Sequence, residues 1–110
     1  MKIKTIQIPI YKCKLTMVLD DNLNYIEKKY KTTSLKNFGA VVLKNDSDYR
    51  HYIVAFTDKD HLSNIVHEIV HIKNHIFLDC AMNLNVHDDE PEAYLSGWLF
   101  DQIDNFLNHK

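Results

Sequence analysis

Over residues 2–19 apolar and polar positions alternate in stretches rich in Ile, Thr, Tyr, Val and Lys, a strand pattern. Ile6, Ile8 and Ile10 share one parity, whereas Tyr11, Cys13, Leu15 and Met17 share the other. The register therefore shifts near Pro9, which has no ladder hydrogen bond to donate, and a bulge or edge position there is the simplest expectation. Asp20-Asp21-Asn22 offers caps for a short helix through Tyr30, with Leu23, Ile26 and Tyr30 spaced i, i+3, i+7. Phe38–Leu43 and Tyr49–Phe56 read as two strands, and Asn45-Asp46-Ser47-Asp48 between them has turn chemistry, so a hairpin is predicted.

Beyond residue 60 the apolar period changes from two to about 3.6. Leu62, Ile65, Val66, Ile69, Ile72 and Ile76 form one stripe of a helix over 60–79, which Thr57, Asp58 or Asp60 could cap. A polar loop with Met82 and Leu84 follows. A last helix starts at Glu90-Pro91, where Pro suits the first turn because its missing N–H would have no partner there anyway. Leu95, Leu99, Ile103 and Phe106 continue it towards the C-terminus. The expected class is α+β: a small, mostly antiparallel sheet made of the N-terminal strands and the hairpin, with the two long helices packed on one face.

Composition narrows the function. A chain of 110 residues suits one domain, residues 1–110, with one modest core. A formal net charge of -2 gives no basic footprint, so no nucleic-acid partner is expected. No run of 18 apolar residues occurs, so no membrane span is expected, and the alternating start does not resemble a secretory signal. The two cysteines, Cys13 and Cys80, form no CxxC pair and read as reduced thiols of a cytoplasmic protein. Two counts are unusual: 7 His, and only 4 Glu against 11 Asp.

His67-Glu68-Ile69-Val70-His71 is an HExxH motif within the first long helix. At 3.6 residues per turn, His67 and His71 stand one above the other and can hold one zinc ion. Glu68 is rotated about 100° from His67, beside the metal, where it can act as general base. His75 continues the series, but its Cα is about 12 Å along the axis from that of His67, and it is given no role. A third His six residues past the second is also lacking, because that position is Phe77. Glu90 and Glu92 remain as candidate third ligands.

HExxH followed by 18 residues and then Glu90 resembles the spacing of the gluzincin zinc peptidases. In that clan the third ligand lies on a later helix, with a small residue three positions on and often Gly seven on. From Glu90 these positions are Ala93 and Gly97; from Glu92 they are Leu95 and Leu99. Ala93 and Gly97 would also make a smooth strip for close approach to the HExxH helix, which favours Glu90 over Glu92. The stretch from Asp88 to Trp98 resembles a segment of short phage-encoded metallopeptidases, and the resemblance covers roughly residues 38–105. It implies a minimal gluzincin-like domain in a bacterial host cytoplasm, with extended substrate bound at an edge strand around Tyr52–Phe56. Two departures stand out. Tyr94 occupies the place of an Asp that orients a ligating His, leaving Asp79, Asp101 or a backbone carbonyl for that task. The helical lower subdomain of larger members is missing, so the oxyanion donor is open among Tyr94, His87 and Tyr52.

The expectation is therefore a zinc metallopeptidase acting on a peptide or protein. His67, His71 and Glu90 would hold one Zn²⁺ per chain, and Glu68 would be the base. The alternatives are a non-enzymatic, zinc-stabilised domain and a phage accessory or virion protein anchored through Trp98, Phe100 or Phe106. The pattern leaves oligomeric state open.

Overall fold

A computed structural model describes residues 1–109. The chain runs β1 (Lys2–Ile8), β2 (Cys13–Leu19), α1 (Asn24–Tyr30), β3 (Ala40–Lys44), β4 (His51–Phe56), α2 (Leu62–Asp79) and α3 (Glu90–Asn108). The strands form one sheet in the order β1-β2-β4-β3. Pairing is antiparallel except between β2 and β4, giving the mixed but mostly antiparallel sheet of an α+β fold.

The parity switch at Pro9 has a different cause from a bulge. The chain reverses there: Ile8 faces Cys13 across an antiparallel pair, and residues 9–12 form the turn. Tyr11 donates its N–H to the Pro9 carbonyl at 2.7 Å, closing a three-residue turn around Ile10, whose φ is 72°. Reversal explains why side chains on either side of Pro9 keep to one sheet face while their sequence parity changes.

The sheet has two covered faces. Leu15, Met17, Tyr52, Val54 and Phe56 point towards α2 and α3, meeting Ile69, Ile72, Ile76, Leu99 and Ile103. Val18, Ile53 and Ala55 point the other way, where Leu23 and Ile26 of the α1 segment and Leu35 cover them. The short helix thus packs opposite the two long ones, rather than leaving that face bare. Each fully buried Leu or Ile, such as Leu99 or Ile103, contributes about 2 kcal/mol by leaving water.

In α2 the buried stripe is rotated from the expected one. Ile65, Ile69, Ile72 and Ile76 are buried with Glu68, Lys73 and Phe77, whereas Leu62 and Val66 are each 55% exposed. His61 occupies the N-cap without a side-chain capping bond. Asp58 instead accepts from the Asp60 N–H and pairs with the His61 ring. The helix ends through Ala81 at φ 56°, with Met82 N–H bonded to Phe77 O at 2.8 Å and Ala81 N–H to Leu78 O at 3.2 Å. Among the described residues, no helix is long and apolar enough to cross a membrane.

Candidate metal centre

The helix repeat brings the two imidazoles of the motif together on the solvent side of α2. Their Nε2 atoms are 3.3 Å apart, with ring centroids 5.0 Å apart and planes at 69°. Two nitrogens about 2.0–2.1 Å from a tetrahedral zinc are separated by about 3.3–3.4 Å, so the donor pair fits that ion without rearrangement. His67, Glu68 and His71 each offer a ligand atom, all within 4.8 Å of one another.

Glu68 differs from the two histidines by being buried. It is 6% exposed where the helix turns towards the sheet. Burial pushes its carboxyl above the ordinary range, opposed by the nearby His67 and His71. A carboxylate in that setting holds a proton more readily than an exposed one, which suits a general base.

These residues line a groove between α2 and β3, about 330 Å³ in volume, whose other wall includes Phe38, Ala40 and Val42. Gly39 and Asn64 extend the groove past the first turn of α2. A Cβ at Gly39 would lie 3.1 Å from Asn64 Nδ2, so glycine permits this close approach. A larger cleft of about 500 Å³ lies between the 8–11 turn and α3. It has no histidine and Asp101 is its sole carboxylate, so the smaller groove is the one whose side chains could hold a metal ion.

His75 also lines the groove. Its ring stacks on Tyr52, with centroids 6.0 Å apart and planes at 15°. Tyr52 in turn donates to Asp79 at 2.5 Å, and Lys44 reaches the other oxygen of Asp79 at 2.9 Å. Burial and the nearby Lys44 hold the His75 imidazole below its ordinary pKa. Distance along the helix gives His75 no place on the metal, but its position one turn past His71 was the signal that it shares the groove.

Glu90 and Glu92 are not in the His67–Glu68–His71 group. Glu90 is exposed at the first position of α3. Glu92 is ion-paired with Lys73. Lys73 stands two residues after His71, about 160° away around the helix axis. The α3 contact is therefore made on the flank of α2 opposite the histidines. Ala93 and Gly97 do not form the strip against α2 that their size suggests. They line the cleft beside the 8–11 turn, and a Cβ at Gly97 would meet nothing within 4 Å.

The edge-strand expectation also changes. Tyr52–Phe56 belongs to β4, which is paired with β2 on one side and β3 on the other and has no free edge. The free edge next to α2 is β3. Of the residues considered for orienting a ligating His, Asp79 is engaged by Tyr52 and Lys44, while Asp101 lies in the α3 cleft. His87 and Tyr94, considered as oxyanion donors, are exposed, and Tyr52 is buried. Trp98, Phe100 and Phe106 all pack in or against the core, so they form no exposed anchor row.

Comparison with protein-family models, with curated proteins and with solved structures finds no match.

Proposed function

We propose that the protein is a zinc-dependent metallopeptidase in which His67 and His71 are metal ligands and Glu68 is the general base. The observation that carries this reading is the 3.3 Å spacing of the two Nε2 atoms beside a buried carboxylate in one groove. Bound zinc would supply Lewis acidity and a water acidic enough to attack near neutral pH. Glu68 would accept the proton of the attacking water and return it to the leaving amine nitrogen. The free edge of β3 would hold an extended peptide by strand addition along the groove. Catalytic zinc sites have three protein ligands. Glu90, exposed at the start of α3, is proposed as the third. Glu92 already has a cationic partner.

Zinc content per chain and cleavage of a peptide mixture, followed by mass spectrometry, test this together. His67→Ala and Glu90→Ala should lose zinc, while Glu92→Ala should retain it. Glu68→Gln should retain zinc and lose about 10²–10⁴-fold in cleavage rate. Zinc retained in Glu90→Ala but lost in Glu92→Ala would overturn the ligand choice. Zinc-loaded protein that cleaves nothing, yet unfolds on chelation, would leave a zinc-stabilised domain instead.

A further inference from the structure

Cys13 and Cys80 are 67 residues apart in the sequence but belong to one region of the core. Cys13 opens β2 and is 1% exposed. Cys80 is the C-cap of α2, half-buried, and packs against the core cluster that contains Cys13. Both thiols are free.

Arg50 ties the two backbone segments together. Its Nη1 donates to the Tyr11 carbonyl at 3.1 Å, the same oxygen that receives the Cys13 thiol at 3.2 Å. Its Nη2 donates to the Asp79 carbonyl at 3.3 Å, in the peptide that leads into Cys80. The Arg50 Nε is buried and has no hydrogen-bond partner. The guanidinium therefore spans from the turn before Cys13 to the end of α2 at Cys80.

We propose that Cys13 and Cys80 are a redox-active pair, closed by exchange with a small-molecule disulfide into a reversible cross-link between β2 and the C-terminal end of α2. The half-buried Cys80 is the attacking thiol and the buried Cys13 the resolving one. The Cys80 thiolate attacks one sulfur of glutathione disulfide and expels the other as glutathione thiolate, which takes a proton from water. Cys13 then gives its proton to water, attacks the Cys80 sulfur and expels the second glutathione. One glutathione disulfide is reduced to two thiols while two cysteine thiols become one disulfide. Burial, and then the nearby Cys80, push the Cys13 thiol up to about 11, so the second step is slow at neutral pH and accelerates as pH rises. The link would fix the end of the helix that carries His67 and His71, and it stands independently of the proposed hydrolase.

Full-length protein is incubated with glutathione buffers of graded reduced-to-oxidised ratio, quenched with acid and measured by intact mass and non-reducing peptide mapping. The expected product has lost two hydrogens, carries no glutathione, and links the peptides holding residues 13 and 80. Reduced glutathione should reverse it. Closure should accelerate about tenfold per pH unit between pH 7 and 9, as the Cys13 thiolate fraction rises. Cys13→Ser should stop at a stable glutathione adduct on Cys80, and Cys80→Ser should remain unmodified. If a serine variant does not fold, Cys13→Ala and the wild-type map give the same decision. An unresolved adduct in the wild type, a link between two copies, or two free thiols in fully oxidised glutathione would overturn the pair.

Discussion

Lys73 of α2 is ion-paired with Glu92 of α3, on the flank of the metal-motif helix that faces away from His67 and His71. The Lys73 side chain is 8% exposed and that of Glu92 32%. This one contact joins the two long helices by their charged groups and occupies a carboxylate that the sequence offers as a metal ligand.

The asymmetry of burial sets what each partner's removal does. Glu92→Ala would leave a buried ammonium without a partner and should destabilise by about 2–4 kcal/mol. Lys73→Met removes the buried charge and leaves Glu92 able to reach water, so its cost should be below about 1 kcal/mol. Urea unfolding of both variants at pH 7 distinguishes them. Equal losses would mean that the pair acts as a solvent-screened surface bridge.

Gly97 provides a second test of how α3 sits. Close helix packing would make Gly97→Ala destabilising. Open space around its would-be Cβ predicts instead a gain of about 1 kcal/mol, the helix-propensity difference between Gly and Ala. Thermal melting by circular dichroism reads the sign directly. A fall in Tm would place α3 closer to its neighbours than the open cleft allows.

Tyr52 and Asp79 predict a pH dependence. Burial alone would raise the Asp79 carboxyl, but the Tyr52 hydroxyl and the Lys44 ammonium outweigh it and hold the carboxyl below the ordinary range. A lowered folded pKa gives stability that is complete above the unfolded value, about 3.9, and is lost as pH falls through the folded one. Tyr52→Phe should therefore cost about 1–3 kcal/mol at pH 7, and the gap from wild type should narrow below about pH 4. Urea midpoints at pH 7 and pH 3 measure it. A gap that does not change with pH would show that the hydroxyl does not bond the ionised carboxylate.

The local elements were largely legible in the pattern. A period of two marked the stretch that holds β1 and β2, and a period of 3.6 marked α2 and α3, because side chains alternate across a strand and return to one helix face every three to four residues. The Glu90-Pro91 helix start and the Asn45–Asp48 turn were legible for the same local reason, since their chemistry concerns neighbouring backbone alone. Pro9 was readable as a disruption but not as a reversal, because parity alone does not tell a bulge from a turn.

Of the candidate site, the sequence determined the pairing of His67 with His71 and the rotation of Glu68 about 100° from His67, while its burial came from the sheet packed against α2. The helix repeat fixes that pairing and that rotation whatever surrounds the helix. Tertiary structure decided the rest. It made β3 and not β4 the free edge beside α2, set α3 against the Lys73 flank, and turned Gly97 to an open cleft. It also brought Cys13 and Cys80 to one core cluster and His75 to Tyr52. Those relations join residues far apart in the chain. They depend on which face of each element is buried against which neighbour, a choice made by the sum of many apolar contacts and buried polar pairs and not by any local spacing.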